Sequence, residues 1–290
     1  MAQKPGSDKV TYSADHRKTG LFAGIIFFLF TLAGVVLSLY AIRAWWFPPL
    51  ASAEAASTDS MMNVFLAAIG IVFVGVHIVL AMFLIRFASD GKGKAVYWHE
   101  DRKLELTWTI IPAVILISFT IYGGISWFNQ KINPAIAAEG EPFKISITAA
   151  QFAWYAQYPG PDGILGRTHS QFVNNQNNPV GIDPDDPAGA DDIVVVNDIW
   201  VPVNQPIHVE LRARDVIHSF FVPDFRLKQD AVPGRVTNAH FLPTKTGDYE
   251  VACAELCGTG HYIMRSELKV VPQEEFNSWL QQQYEAAEAQ

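Results

Sequence analysis

Cysteine is scarce in this sequence, which has only two, Cys253 and Cys257, among its 290 residues. Two cysteines cannot form the disulfide framework that supports small secreted domains, and no C-x-x-C-H motif is present to attach a c-type haem. Charged residues are also few, at 17%, and acidic residues outnumber basic ones by 29 to 21. The resulting net charge of −8 argues against nucleic-acid binding and favours basic partners for the exposed part of the chain.

Long apolar runs occupy much of the first 130 residues. Each run reaches the roughly 20 residues that a helix needs to cross the hydrocarbon core of a bilayer. We therefore predict a membrane anchor at 21–128 with three transmembrane helices, at about 21–42, 61–85 and 108–128. For the first run, a signal peptide cleaved near Ala51-Ser52-Ala53 is the alternative, and the length of the run favours a retained helix.

Basic residues predict how the anchor is oriented. Lysine and arginine are concentrated in the tail at 1–20 and in the segment at 86–107, whereas the loop between the first two runs has little beyond Arg43. By the positive-inside rule, the tail and the 86–107 segment are cytoplasmic. Three crossings then place the C-terminal half of the chain outside, in contact with lipid only through its anchor.

The C-terminal half has the pattern of a β-rich domain. After a linker at 129–142, short segments alternate apolar and polar residues between turn-forming Pro, Gly and Asn. They lie at 143–148, 193–196, 207–211, 240–242, 249–252 and 265–271. We predict a small antiparallel β-sandwich at 143–272, followed by an amphipathic helix at 273–290, where Phe276, Trp279, Leu280 and Tyr284 have helical spacing.

Metal-binding side chains are concentrated near the end of this domain. Cys253, Cys257, His261 and Met264 fall within twelve residues, and His218 lies upstream after a predicted strand, on a loop. Thiolates, imidazoles and a thioether suit a soft metal, above all copper. A mononuclear blue-copper site needs only one cysteine, so the second indicates two thiolates that bridge a pair of copper ions. A short disulfide is the alternative in an oxidising compartment, and the surrounding ligands favour copper.

These residues resemble subunit II of the haem-copper oxidases in its copper-bearing form. The resemblance rests on the ligand motif at 253–264, on His-Ser-Phe-Phe-Val-Pro from His218, and on Lys-Gln-Asp-Ala-Val-Pro-Gly-Arg at 228–235. It extends into the apolar runs. It implies a cupredoxin-like domain with a binuclear copper (CuA) centre. The implied ligands are Cys253, Cys257, His218 and His261, with Met264 and the backbone carbonyl of Glu255 as weak ligands.

The resemblance also implies a function. Such a subunit takes electrons from a c-type cytochrome or similar carrier and passes them to haem in a separate catalytic subunit I, where oxygen is reduced to water. The complex, a proton-pumping cytochrome c oxidase, would lie in the inner membrane of a prokaryotic cell with the copper domain on the periplasmic side. The alternatives are the CuA subunit of a nitric oxide reductase, nitrous oxide reductase, a copper-free quinol oxidase subunit and a copper store. The intact ligand set argues against the copper-free subunit.

Two carboxylates gain roles from the resemblance. Glu105 precedes a Trp-Thr-x-x-Pro stretch, where the family has a glutamate at the mouth of a proton path into the catalytic subunit; otherwise it is an interfacial carboxylate that balances Arg102 and Lys103. The side chain of Glu255 is implied to share a magnesium ion with the catalytic subunit; otherwise it fixes the ligand loop by hydrogen bonds. Asp230 is expected near the same interface.

The chain departs from the family pattern in its aromatic residues. Where the family has a tryptophan directly after a glutamine to receive electrons, this chain has Phe152 after Gln151, and the next tryptophan is Trp154. We expect one of these two aromatic residues to receive the electron, and we favour Trp154.

Two further features stand apart from the family pattern. The first helix is additional to the family's usual two, and a loop at 159–192 looks inserted. The loop carries six aspartates against one arginine, Arg167, and could attract a basic cytochrome; otherwise it is a solvated loop. His169 in this loop has no ligand-spaced partner, so we leave it out of the site.

His77 lies inside the second apolar run. Ionisable residues are rare in membrane helices, so His77 is either functional or bonded to a neighbouring helix or subunit.

Overall fold

The computed structural model describes residues 16–45, 48–88, 100–129 and 141–288. The chain divides into two compact units: Met1–Trp46 with Met62–Phe119, and Phe47–Met61 with Thr120–Gln290. Several sequence predictions concern residues outside the described part. These are the tail before residue 16, the loop at 89–99 and the linker at 130–140.

Three long helices form the N-terminal part of the chain. They are α1 (His16–Trp45), α2 (Ala53–Arg86) and α3 (Arg102–Trp127). Each is long and apolar enough to cross a membrane, as the three apolar runs predict. The helices are longer than the runs because polar caps extend them. The Asp101 carboxylate accepts the Lys103 and Leu104 amides at 3.0 Å each, which starts α3 six residues before the predicted position.

The additional helix α1 packs against α2 through small residues. A Cβ atom added to Gly24 would lie 2.4 Å from Cγ1 of Ile85, so the two helix backbones approach closely at this point. Close approach at glycine is a common way for membrane helices to associate. Further along, the Phe27 ring stacks on His77 with centroids 5.4 Å apart, and His77 Nδ1 lies 2.8 Å from the Phe73 carbonyl oxygen. His77 is thus bonded within its own helix and stacked on a ring of α1.

The second unit is a β-sandwich of two five-stranded sheets. Its strands are β1 (Phe143–Ala150), β2 (Ala153–Tyr158), β3 (Ile193–Val196), β4 (Asp198–Pro202), β5 (Ile207–Ala213), β6 (His218–Val222), β7 (Leu227–Ala231), β8 (Thr237–Phe241), β9 (Gly247–Cys253) and β10 (Arg265–Val271). One sheet has the order β3-β2-β1-β5-β8, and the other β4-β10-β9-β6-β7. The predicted sandwich is confirmed, but its sheets are mixed, because β1 pairs with β5 and β4 with β10 in parallel.

Alternation along the strands fills the space between the sheets. In β5, Ile207, Val209 and Leu211 are fully buried, while the residues between them are partly exposed. Trp154 and Phe220 come from opposite sheets and meet edge to face, with centroids 5.5 Å apart. Such aromatic pairs add to the burial that holds the sheets together. The C-terminal helix α4 (Gln273–Glu288) closes one edge.

The segment just before and within the start of α2 is part of the sandwich unit. Ser52 forms an antiparallel bridge with Pro243, and its hydroxyl accepts the Ala55 amide as the helix cap at 3.1 Å. Asp59 receives both arms of the Arg226 guanidinium, at 2.9 and 3.0 Å. Arg226 directly precedes β7, in the connection between β6 and β7. The first turns of α2 thus contact the β6–β7 hairpin, which begins at His218.

Candidate metal centre

Two neighbouring strands place the first two candidate ligands side by side. Cys253 ends β9 and His218 begins β6, and these strands pair so that Phe220 lies opposite Cys253. The prediction that a loop presents His218 is therefore wrong. The five residues from His218 to Val222 are almost all buried, so they form a strand of the core rather than a loop.

The loop between β9 and β10 brings the remaining candidates to the same point. Cys257 Sγ lies 3.8 Å from Cys253 Sγ, and both thiols are free. Two donors lie close to Cys253 Sγ: His218 Nδ1 at 3.8 Å and the Glu255 carbonyl oxygen at 3.2 Å. Two others lie close to Cys257 Sγ: His261 Nδ1 at 3.6 Å and Met264 Sδ at 3.7 Å. The two sulfurs are therefore central, with one imidazole and one weak donor beside each.

The chemistry of this donor set fits soft metal ions. Burial raises the pKa of the Cys257 thiol to about 11, and the neighbouring Cys253 adds to the shift. Two adjacent buried thiolates need a positive charge beside them, and a metal ion provides it when it displaces the thiol protons. Thiolate, imidazole and thioether donors together select copper over hard cations. His218, Cys253 and Cys257 form the one group of metal-binding side chains of this kind among the described residues.

A carboxylate that we did not single out from the sequence fixes the buried imidazole. Asp215 Oδ1 lies 2.8 Å from Nε2 of His218, which is fully buried. Nε2 therefore carries the ring proton, and Nδ1 presents its lone pair on the Cys253 side. Burial alone would raise the pKa of Asp215, but hydrogen bonds from the Gln151 amide, the His218 ring and the Val216 amide lower it overall. A carboxylate bonded to the outer nitrogen of a ligand histidine is a recurrent feature of metal sites.

Gln151 connects this carboxylate to the ligand loop. Its backbone amide donates to Asp215 Oδ2 at 2.7 Å, and its side-chain amide donates to the Cys257 carbonyl oxygen at 2.5 Å. The sequence signal for the Asp215 contact is the spacing Asp-x-x-His at 215–218. Gln151 has no comparable signal, because its contacts join parts of the chain that are far apart in sequence.

The two candidate aromatic residues occupy different environments. Trp154 is fully buried, with its ring centroid 6.2 Å from that of His218, and its indole N–H has no hydrogen-bond partner among the described residues. Phe152 is only half-buried and lies against the ligand loop. A Cβ atom added to Gly260 would be 2.4 Å from the Phe152 ring, so glycine is needed there for the ring to pack on the loop.

The other predicted site residues lie around or away from this cluster. The Glu255 side chain is exposed, whereas Met264 is buried. Asp230 accepts the Ser219 hydroxyl at 2.7 Å, and the Ser219 carbonyl accepts the Ala254 amide at 3.0 Å, so Asp230 connects to the ligand loop through one residue. Glu105 lies in the first turn of α3 and belongs to the membrane unit.

Comparisons with known proteins agree with this arrangement. The family described as cytochrome C oxidase subunit II, periplasmic domain, matches residues 145–271, and its transmembrane domain matches residues 38–123. The second match begins at residue 38, so most of α1 precedes it. The alternative cytochrome c oxidase subunit 2 of Bradyrhizobium diazoefficiens is 35% identical over 260 residues, which cover 89% of this chain and 91% of that protein.

Two further similarities complete the comparison. Cytochrome c oxidase subunit 2 of Thermostichus vulcanus is 33% identical and covers 89% of this chain and 85% of its own length. The solved periplasmic domain of cytochrome oxidase subunit II from Bradyrhizobium japonicum is 31% identical and covers 51% of this chain and 98% of that one, with a TM-score of 0.37. The chain, a membrane-anchored protein with its sandwich domain outside and part of an oxidoreductase complex, belongs to the cytochrome c oxidase subunit II family.

Proposed function

We propose that this chain is the electron-accepting subunit of a terminal oxidase, built around a binuclear CuA centre. The observation that carries the proposal is the pair of free, adjacent sulfurs of Cys253 and Cys257, 3.8 Å apart with an imidazole nitrogen beside each. The proposed ligands are these two cysteines, His218, His261, Met264 and the Glu255 carbonyl. When bound there, a copper pair would supply a centre that takes up and releases one electron at a time.

The protein's own residues prepare that centre. Asp215 holds the His218 ring in one orientation and one tautomer, and Gln151 ties Asp215 to the ligand loop. Both cysteines and Met264 are buried, so water has little access to the sulfurs. Because His218 lies on strand β6 and the other ligands on one loop between two strands of the sandwich, the fold supports nearly the same geometry in both redox states, which keeps the reorganisation on electron transfer small.

Electrons would come from a c-type cytochrome or a similar carrier, which would dock on the ligand loop. Three large apolar side chains of this loop, Leu256, Tyr262 and Ile263, are 77%, 76% and 59% exposed. An exposed apolar patch of this kind suits a protein interface. Phe152 and Trp154 are the aromatic residues we propose for electron transfer into the centre. The partial exposure of Phe152 supports it as the residue in contact with the donor, with Trp154 behind the surface.

Charge from the 159–192 loop contributes less to docking than the sequence suggests. Arg167 contacts both Asp183 and Asp186 at 3.3 Å, and Asp192 is held by the Gln157 side chain at 2.5 Å. These aspartates are therefore partly neutralised or engaged within the domain. Asp185 is exposed and remains available to attract a basic donor.

Electrons would leave toward haem in a separate catalytic subunit I. On the sandwich, the exposed carboxylate of Glu255 would contribute one ligand to a magnesium ion shared with that subunit, since Mg²⁺ commonly takes only one or two protein carboxylates. Glu105, in the first turn of α3, would stand at the mouth of a proton path into the same subunit. The whole complex would lie in the inner membrane of a prokaryotic cell, with the copper domain in the periplasm.

The order of reduction in the assembled complex tests this proposal. The complex is mixed rapidly with a reduced c-type cytochrome while the copper and haem absorbances are followed separately. We expect the copper band to change first and haem reduction to follow from it. Haem reduction at the same rate in a Cys257→Ser complex without the copper band would refute the proposal. Turnover with oxygen and with nitric oxide separates an oxidase from the alternative, a nitric oxide reductase.

A further inference from the structure

The 159–192 loop and the end of strand β5 line an open cavity of about 630 Å³. One wall consists of Arg212 to Asp215 together with the turn at 233–236, and the other of residues 168–170 with Val173 and Val180. The volume lies within the range of about 300–1,000 Å³ that is usual for small-molecule sites. The cavity is thus large enough for a ligand of several functional groups.

The loop wall is held in place by its own backbone. The His169 amide donates to the Gly181 carbonyl oxygen at 2.7 Å, and the Asp183 amide donates to the Arg167 carbonyl oxygen at 2.8 Å. Gly181 has a positive φ of 74°, and an added Cβ would lie 2.4 Å from the His169 carbonyl oxygen. This turn therefore requires glycine, and it places His169 in the cavity wall.

Positive charge dominates the cavity lining. Three arginines, Arg212, Arg214 and Arg235, line it together with His169. Arg212 pairs with Glu210 at 2.9 Å, yet its Nε is buried without a partner among the described residues. One nitrogen of Arg214 donates to the neutral Asn175 side chain at 2.5 Å, and the guanidinium lies 5.8 Å from the centre of the Tyr155 ring. Among the described residues, Arg214 has no acidic partner.

Arg235 and Asp215 are the other two charged residues of the cavity lining. Arg235 is exposed, and within the described part of the chain its guanidinium has neither an ion pair nor a hydrogen bond. Asp215 is the one carboxylate in the lining, and its two oxygens already accept hydrogen bonds from His218 and from the Gln151 amide. The cavity therefore carries two guanidinium groups, those of Arg214 and Arg235, that form no ion pair within the described residues, against the one carboxylate of Asp215.

We propose that this cavity is a binding site for a small soluble polyanion that carries phosphate or carboxylate groups. Guanidinium groups present several N–H donors in a fixed plane and bind such oxyanions in a bidentate manner. The hydroxyls of Thr168 and Ser170 line the same cavity and supply further donors. Binding at this site does not depend on copper, so it stands apart from the function proposed above.

Calorimetric titration of the purified, assembled oxidase tests the site, with tripolyphosphate and citrate as probes. We expect saturable binding of at least one probe with a stoichiometry of one per chain. Arg214→Gln and Arg235→Gln together should weaken it at least tenfold, and replacement of both arginines by lysine should restore part of the affinity. Arg265→Gln is the matched control: it removes one exposed arginine that pairs with Glu250 and does not line the cavity, so it should leave binding unchanged.

Further arms separate the sources of the anion. A titration with glycerophosphoglycerol, the headgroup of phosphatidylglycerol, should show at least tenfold weaker binding than tripolyphosphate, since it carries a single phosphate. Tighter binding of the headgroup would assign the cavity to lipid and overturn the proposal. The absence of saturable binding would also overturn it. So would equal binding by the glutamine double variant with an unchanged melting temperature. Binding by the free chain but not by the assembled complex would show that a partner subunit covers the cavity, and it too would overturn the proposal.

Discussion

Replacement of Asp215 by asparagine tests how the fold prepares the metal centre. The two Asp215 oxygens each face a donor: Oδ1 faces His218 Nε2 at 2.8 Å, and Oδ2 faces the Gln151 amide at 2.7 Å. Asparagine has one carbonyl oxygen and one NH₂ group, so it can accept from only one of these donors. Either His218 or Gln151 then loses its partner, and the negative charge beside the imidazole is lost in both cases.

The expected loss follows from what His218 must do. With Asp215 present, Nε2 holds the proton and Nδ1 is free to bind metal on the Cys253 side. Without the carboxylate, the proton can move to Nδ1, which then must lose it before binding. Loss of such an outer partner typically weakens metal affinity about 10- to 100-fold, or about 1.4 to 2.7 kcal/mol. We therefore expect Asp215→Asn to bind copper 10 to 100 times more weakly.

The assay is a copper titration of the full chain against a chelator of known affinity, with the copper spectrum recorded at each point. Asp198→Asn is the matched control, because it also removes one carboxylate of the sandwich. Asp198 bonds to Lys269 at 2.9 Å and to Trp200 at 3.0 Å, and neither is a proposed ligand. Copper affinities within twofold for Asp215→Asn, Asp198→Asn and the unaltered chain would refute the reasoning.

Four other predictions concern single side chains. Met264→Leu should retain both copper ions and shift the reduction potential, because a weak axial ligand tunes such a site; loss of copper in a metal analysis would contradict this. Glu105→Gln should slow oxygen turnover and leave the copper spectrum unaltered, and unchanged turnover across pH would return Glu105 to an interfacial role. Phe152→Leu should slow reduction by the donor with the copper spectrum intact, and an unchanged rate would exclude it. Trp154→Ala should lower the free energy of unfolding by about 3–5 kcal/mol in denaturant titrations, and a loss below 1 kcal/mol would contradict its place in the core.

The sequence was most informative where the chemistry is local. Three apolar runs predicted the three helices, because length and hydropathy alone identify a membrane span. The motif at 253–264 predicted that its candidate ligands lie close together, since a loop of twelve residues keeps these side chains near one another. His218 was added from its place after an apparent strand and from the family resemblance, and its position at the start of β6 depends on pairing with β9.

Features that depend on long-range pairing could not be read in the same way. Strands β2 and β6 lack alternation because both are largely buried, so the period-two signal is missing. The parallel pairing of β1 with β5 joins segments about sixty residues apart, and the six predicted segments carried no information on direction. The contacts of Gln151 and the pairing of Arg167 with two aspartates likewise arise only when distant parts of the chain are folded together.

The central claim is that Cys253 and Cys257 bridge two copper ions. Its most direct test is metal analysis combined with electron paramagnetic resonance of the full chain, loaded with copper and poised at intermediate potential. One unpaired electron shared equally by two copper nuclei of spin 3/2 gives seven hyperfine lines, and we predict this pattern with two copper ions per chain, lost in Cys253→Ser. A four-line spectrum with one copper per chain, or a Cys253–Cys257 disulfide in the native complex, would contradict the account.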